Sequence, residues 1–229
     1  LIHGQLKKVL KNEELRLYGF SIMVSAILTC FMIFNHDPNA DQLKTIRDVF
    51  FQVICIITST GFATADYDLW PVASQILIIL LMIMGGCAGS TSGGMKVFRV
   101  LISIKVGIRE ISQLLNPRAI IPLRNDGEQV SNALTHVIIG FVSIYFLILG
   151  ASSFLVVWFE GERYNLTSLL SICVSSLSNI GPALDSFGPT DNYAPLKDQT
   201  KWLLSFLMLL GRLELYSVLV IFLPQMWKK

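Results

Sequence analysis

The sequence is poor in charge. Only 15% of its 229 residues are Asp, Glu, Lys or Arg, against about 25% in a soluble globular domain. The net charge is just +2 and no Lys/Arg run is interleaved with aromatics, which argues against nucleic acid as a partner. Its four cysteines, Cys30, Cys55, Cys87 and Cys173, sit in apolar stretches without a C-x-x-C spacing. They read as small buried hydrophobes, so neither a disulfide framework nor a zinc site is expected. The apolar stretches contain no paired aspartates, Ser–His pair or His cluster, which leaves an intramembrane enzyme without its reacting groups. Beginning at Leu1 on a polar, basic stretch, the chain is expected to lack a signal peptide and to be a piece of a longer one.

Apolar sequence is what the chain has in abundance: 53% of its residues are hydrophobic, with a mean hydropathy of +0.60. A chain of this size cannot hide that much apolar surface, so lipid is expected to solvate part of it. Crossing about 30 Å of hydrocarbon takes about 20 helical residues. The stretches 17–34, 133–159 and 202–227 qualify. A fourth, 69–84, is slightly short, runs into the glycine-rich string 85–94 and resumes as the amphipathic 95–108. Two more, 49–57 and 166–177, are too short to cross and are followed by loops. Segments of that length are expected to be buried or re-entrant, entering and leaving on one side.

Charge asymmetry orients these segments. Residues 1–16, 96–131 and 228–229 carry twelve Lys/Arg and five acids; 35–48, 63–70, 160–165 and 183–201 carry five Lys/Arg and ten acids. The positive-inside rule makes the first set cytoplasmic. That assignment requires both short segments to dip into the membrane and return outside.

Cut this way, the chain repeats itself: long helix, short apolar helix, glycine loop, long helix. The loops align as Thr60-Gly61-Phe62-Ala63 and Ile180-Gly181-Pro182-Ala183. Backbone that is neither helix nor barrel survives at membrane depth only when buried in protein or lining a watery cavity. A glycine permits φ > 0, so successive carbonyls can face one axis. A ring of such carbonyls replaces the hydration shell of a monovalent cation. The plain alternative is a pair of tight turns between buried helices; duplication of so costly a feature favours the pore.

The stretches 58–70 (TSTGFATADYDLW), 85–96 (GGCAGSTSGGMK), 178–182 (SNIGP) and 211–214 (GRLE) together resemble the Trk/Ktr/HKT family of potassium transporters, and the resemblance covers the whole chain. It implies an all-α membrane protein with four pseudo-symmetric repeats around one pore, of which this chain supplies the third and fourth. The third repeat would occupy 1–125, with helix 17–35, pore helix 45–57, filter 58–62, broken helix 70–109 and a cytoplasmic linker. The fourth would occupy 126–229, with helix 132–159, pore helix 166–177, filter 178–182 and helix 201–227. Filter residues implied by the resemblance are Ser59, Thr60, Gly61 and Phe62, and Asn179, Ile180 and Gly181. Potassium would bind at Thr60, Gly61, Ile180 and Gly181. The fourth loop departs from the family pattern in carrying Pro182 where an aromatic follows the glycine.

The family further implies potassium uptake across the bacterial cytoplasmic membrane by a multi-pass homodimer. No cofactor is implied beyond K+ itself. A cytoplasmic nucleotide-binding regulatory subunit of the TrkA/KtrA type would dock on the inner surface, where Lys7, Lys8, Lys11, Arg109, Arg118 and Arg124 lie. Ordinary positive-inside bias accounts for such a surface equally well. A competing class is a broken-helix carrier for sodium or another small solute. Carriers usually add Asp/Asn ligands at their half-helix tips, whereas these tips are Thr, Ser and Gly.

The string Gly85, Gly86, Cys87, Ala88, Gly89, Ser90, Thr91, Ser92, Gly93, Gly94 breaks a helix inside the membrane. It is no phosphate-binding loop, because Met95 stands where the lysine is required and no strand precedes it. The resemblance makes it the intramembrane gate beneath the filter. Arg212 lies about 15 Å into a helix starting near residue 202, close to the midplane, where a lone charge needs a cavity or a partner. It reads as a fixed barrier charge opposite the glycine loop; the alternative is a buried ion pair with another helix. Glu214, two positions on, points elsewhere around the helix and is no direct partner. Asn165 is expected to cap the second short helix. Asp66, Asp68, Asp185 and Asp191 fall on the outer face, where they either concentrate cations or solvate loops.

Overall fold

The computed structural model describes residues 11–119, 121–213 and 215–227. Lys7, Lys8, Glu214 and residues 228–229 lie outside the described residues. The chain is helical, as expected. Its helices are α1 (Glu13–His36), α2 (Gln42–Ile57), α3 (Val72–Met84), α4 (Val97–Leu115), α5 (Asn132–Glu160), α6 (Leu166–Ser178), α7 (Asp198–Arg212), α8 (Leu215–Ile221) and α9 (Pro224–Trp227). Among the described residues the only strands are β1 (Arg124–Asn125) and β2 (Glu128–Gln129), an antiparallel pair.

Caps set where the helices begin. Asn12 accepts from the Leu15 N–H, Asp41 from those of Leu43 and Lys44, and Ser131 from that of Leu134. An oxygen placed this way satisfies amides that have no intrahelical acceptor. The first two caps start α1 and α2 ahead of the expected residues 17 and 45. α4 continues beyond the expected residue 109 to Leu115, and Pro117 follows directly after Asn116, excluding the helical conformation there.

α1 and α5 are each long and apolar enough to cross a membrane. The third expected span is not one helix: 202–227 divides into α7, α8 and α9, with a sharp bend between α7 and α8. The division follows Gly211, a weak helix former, and Leu213 leaves helical geometry at φ −91°, ψ 5°.

Each short helix is the centre of its own core. Val49, Val53, Ile56 and Ile57 of α2 pack with Ala26 of α1 and Ile78, Leu81 and Met82 of α3. Leu169, Ile172, Cys173 and Leu177 of α6 pack with Phe141, Tyr145 and Val156 of α5 and Leu204, Leu207 and Leu210 of α7. Val174, Ile180 and Leu184 belong to the α2 core, so the two cores join at the end of α6. Meanwhile Phe20, Ile27, Phe31, Phe154, Trp158 and Trp202 are exposed, the reverse of a water-soluble chain.

The two sets of polar segments separate to opposite ends. At the basic end, Asp126 between β1 and β2 accepts from Asn12 Nδ2 (2.8 Å) and the Glu13 N–H (2.7 Å). At the acidic end, Asp68 meets Asp185 and Arg163 reaches the Pro195 carbonyl. There too the buried carboxylate of Glu160, at the end of α5, accepts from the Lys197 N–H (2.9 Å) and the Thr200 hydroxyl (2.5 Å), tying α5 to the start of α7. Glu160→Ala would strand both donors, at a cost of about 1–3 kcal/mol, while Glu160→Gln keeps an acceptor oxygen. Thermal unfolding in detergent should therefore place the Ala variant well below the Gln variant.

Candidate functional site

Both short helices end in the same backbone figure. After α2, the Thr60 N–H reaches back to the Cys55 carbonyl at 2.9 Å; after α6, the Ile180 N–H reaches the Ser175 carbonyl at 3.0 Å. Ser59 (φ 55°) and Asn179 (φ 53°) are left-handed, as the stop of this kind of helix demands. Two residues later Gly61 (φ 74°) and Gly181 (φ 110°) repeat the positive φ. Outside glycine such a conformation costs about 1–2 kcal/mol per residue, so both loops are held by their surroundings. The carbonyls of Ser59, Thr60, Gly61, Asn179 and Ile180 accept no hydrogen bond from the described residues.

Side chains elsewhere hold this backbone in place. The Tyr193 hydroxyl donates to the Gly181 carbonyl at 2.5 Å; burial pushes its phenol up to about 12, so it stays a donor at neutral pH. Ser175 Oγ accepts from the Gly181 N–H and donates to the Pro182 carbonyl (2.7 Å), while Ser171 Oγ accepts from the Leu184 N–H (3.0 Å). The Tyr67 hydroxyl, in the other repeat, donates to the Ala183 carbonyl at 2.9 Å. Tyr145 of α5 bonds Ser178 Oγ (3.2 Å). Ser59 Oγ and Asn179 Nδ2 are buried with no hydrogen-bond partner among the described residues.

The loops also touch. A methyl group on Gly61 would collide with the Ile180 carbonyl, and one on Gly93 with the Ser178 carbonyl. The two expected filter segments and the glycine loop are therefore stacked backbone on backbone. Phe62 is 68% exposed and contributes no packing to the contact.

The glycine loop closes on itself. The Met95 N–H bonds the Ile83 carbonyl and the Val97 N–H the Gly86 carbonyl, both at 3.0 Å, bringing the ends of α3 and α4 together. Inside it, Ser92 Oγ accepts from the Gly86 N–H, and Ser90 Oγ bonds both Ser92 Oγ and the Cys87 carbonyl. Its exposed tip, Ala88 to Thr91, is gripped from three elements. Lys96 Nζ donates to the Ala88 and Ser90 carbonyls, Arg212 Nη1 to the Thr91 carbonyl (2.8 Å), and Glu14 accepts from the Ala88 N–H (2.6 Å). The structure thus brings Arg212 onto the glycine loop, and among the described residues it forms no ion pair.

Asp66, Asp68, Asp185 and Asp191 converge at the acidic end. Asp68 Oδ1 accepts from the Asp185 N–H at 2.8 Å, and its other oxygen presses on Gly188. Burial, and then the charges of Asp66, Asp185 and Asp191, push the Asp68 carboxyl up to about 6, against the pull of that hydrogen bond. Asn165 stands at the head of α6 but makes no side-chain cap bond. Its amide instead donates to Asp185 Oδ2 (3.0 Å), beside Ser168, so binding the neighbouring loop outcompetes capping. Of the basic surface, Arg109 is only 18% exposed and paired with Glu110, whereas Lys11, Arg118 and Arg124 are exposed.

Sequence reading missed Tyr67, Tyr193 and Glu14, whose partners lie far along the chain. It also passed over four serines that a spacing signal could have revealed: Ser168, Ser171, Ser175 and Ser178 fall on one face of α6 at helical spacing, and all are buried. The hairpin was passed over as well, although the Asp-Gly dipeptide 126–127 at its turn is such a signal, both residues being at positive φ.

Residues 20–229 match the family model TrkH, described as a cation transport protein. Over its full length the chain is 31% identical to the Trk system potassium uptake protein TrkH of Escherichia coli, covering 47% of that protein. It is 35% identical to the protein of the same name from Halomonas elongata over 82% of this chain and 38% of that one. The crystal structure of the potassium transporter TrkH from Vibrio parahaemolyticus superposes with a TM-score of 0.85 at 29% identity, over 95% of this chain and 46% of that one. The chain thus spans about half the length of the relatives it matches.

Asp68 generates a pH prediction. Its carboxyl titrates near 6 when folded, against an ordinary 3.8, so the folded state holds this proton more tightly. The resulting stability is fully present below about pH 3.8 and is lost as pH rises through about 6. Asp68→Asn fixes the uncharged form and keeps an acceptor for the Asp185 N–H. In detergent its Tm should exceed that of the parent at pH 7.5, and the gap should narrow as pH falls through about 6 and close only below about pH 3.8.

Proposed function

The chain belongs to the TrkH family of cation transport proteins, a family of transporters rather than enzymes, and on that premise we propose that it forms half of a potassium-conducting pore in the bacterial cytoplasmic membrane. The observation that carries this reading is the duplicated loop. Two short buried helices end in matching left-handed stops whose outer carbonyls accept no hydrogen bond from the described residues, and Gly61 of one loop lies against the Ile180 carbonyl of the other. Three open carbonyls on one loop and two on the other, completed by the repeats that precede them, replace the water around a desolvated cation. The C-terminal ends of α2 and α6 add partial negative charge at the same place. The acidic end, with Asp66, Asp68, Asp185 and Asp191, is the outer mouth and raises the local cation concentration. The basic end faces the cytoplasm, as positive-inside bias requires, and offers Lys11, Arg118 and Arg124 to a regulatory subunit of the TrkA/KtrA type.

In this reading an ion leaves the filter toward the cytoplasm past the glycine loop. Gly93 lies against the Ser178 carbonyl, which supports a loop standing at the exit of the fourth-repeat filter. Arg212 holds the loop by the Thr91 carbonyl and adds a positive charge that every passing cation must approach in a medium of low dielectric constant. Flow begins when the loop withdraws.

Two measurements test the assignment in the full-length transporter. Gly61→Ala meets both an unfavourable φ and the Ile180 carbonyl, whereas Gly181→Ala meets only the unfavourable φ, with no neighbour within 4 Å. Both should weaken discrimination of potassium from sodium in competing-ion flux, and Gly61→Ala should do so more severely; unchanged selectivity in both well-folded variants would reject the filter. Arg212→Ala removes the barrier charge and one restraint on the loop. Potassium flux per folded transporter should rise severalfold, and a variant that expresses well and conducts no faster would reject the gate.

A further inference from the structure

A continuous set of hydrogen bonds joins the cytoplasmic-end hairpin to the glycine loop. The hairpin turns at Asp126-Gly127 (φ 52° and 86°), the pair a two-residue type I′ turn favours. Its Asp126 carboxylate caps α1 from 113 residues away, accepting from the Glu13 N–H at 2.7 Å and from Asn12 Nδ2 at 2.8 Å. Lys105 of α4 fastens the same place, ion-paired with Glu13 and donating to the Arg124 carbonyl (2.8 Å). The next residue of α1, Glu14, accepts from the Ala88 N–H at 2.6 Å.

We propose that Glu14 is a positioning residue for the glycine loop, and that the hairpin β1–β2 sets where Glu14 stands. The inference rests on reading that loop as the gate. Lys96 and Arg212 hold the loop by carbonyls; Glu14 is the side chain that takes an N–H at the tip, through a charge-assisted bond. A carboxylate fixed to the first turn of α1 moves with that turn. That turn is capped by the hairpin, which lies on the end of the molecule that faces the cytoplasm in the proposed orientation. Displacement of the hairpin therefore withdraws the acceptor from Ala88 and frees the tip, without any contact between hairpin and loop.

The test has a readout independent of ion flow. Cys87 adjoins Ala88 in the loop and is partly exposed, while Cys30, Cys55 and Cys173 are buried. In full-length transporter reconstituted in liposomes, the rate at which a water-soluble maleimide modifies Cys87 is followed by mass spectrometry, alongside potassium flux. Glu14→Ala should speed modification severalfold. Glu14→Gln should be modified clearly more slowly than Glu14→Ala, since it keeps an acceptor oxygen for the Ala88 N–H. Asp126→Ala should speed modification too, and the double variant should be no faster than Glu14→Ala alone, because both release one restraint. Equal rates for Glu14→Gln and Glu14→Ala, or no change on Asp126→Ala in a variant of parental thermal stability, would overturn the proposal. Faster modification with unaltered flux would uphold the positioning role and reject the loop as the gate.

Discussion

Everything around the site follows from one constraint: backbone that stops being helical inside an apolar medium must find partners for its N–H and C=O groups within the protein. The chain breaks its helices this way at the ends of α2, α6 and α3. Each break is closed locally first, by the backward bonds from Thr60 to Cys55, Ile180 to Ser175 and Met95 to Ile83. What those bonds leave over is satisfied by side chains, and here the two repeats part company.

The loop after α6 depends on a set of hydroxyls. Ser171, Ser175, Tyr193 and Tyr67 between them bond the backbone of Gly181, Pro182, Ala183 and Leu184. A serine-lined helix is affordable there because α6 is buried on nearly all sides, and small side chains let its neighbours approach closely. The loop after α2 has fewer such supports, chiefly Thr58 Oγ1 bonded to Thr60 Oγ1 and the Ile54 carbonyl. It leans instead on its neighbour, with Gly61 against the Ile180 carbonyl. The two repeats are thus structurally alike in backbone but unequal in how that backbone is fixed.

The same constraint explains how distant ends of the sequence are bound together. Away from the loops after α2 and α6, carboxylates take over as acceptors of backbone amides: Asp68 for Asp185, Glu160 for Lys197, Asp126 for Glu13 and Glu14 for Ala88. All four bonds join separate elements. Asp68, Asp126 and Glu14 stay at least partly exposed, where solvent offsets part of the desolvation, whereas Glu160 is buried and relies on its two donors. The low charge of the chain is therefore concentrated where it can fasten one element to another.

How much of this was legible depends on the range of the interaction. Hydropathy alone gave α1, α5 and the two short helices, because burial of apolar surface needs only the local pattern. The glycine loop and the paired loop motifs were visible for a related reason, since glycine at a positive φ is a local demand of the backbone. Other features were not local. The span from residue 202 was divided at Gly211 and Leu213 where an unbroken apolar run suggested one helix, and Asn165 gave up its cap for Asp185. Tyr193, Tyr67 and Glu14 carry no mark in the sequence, because a single hydrogen bond to a residue 12, 116 or 74 positions away has no periodicity to reveal it. By itself the sequence determined which segments leave water and where the backbone must bend; only the tertiary structure decided which side chain meets each exposed carbonyl or amide, since that requires two remote segments to be packed at hydrogen-bond distance.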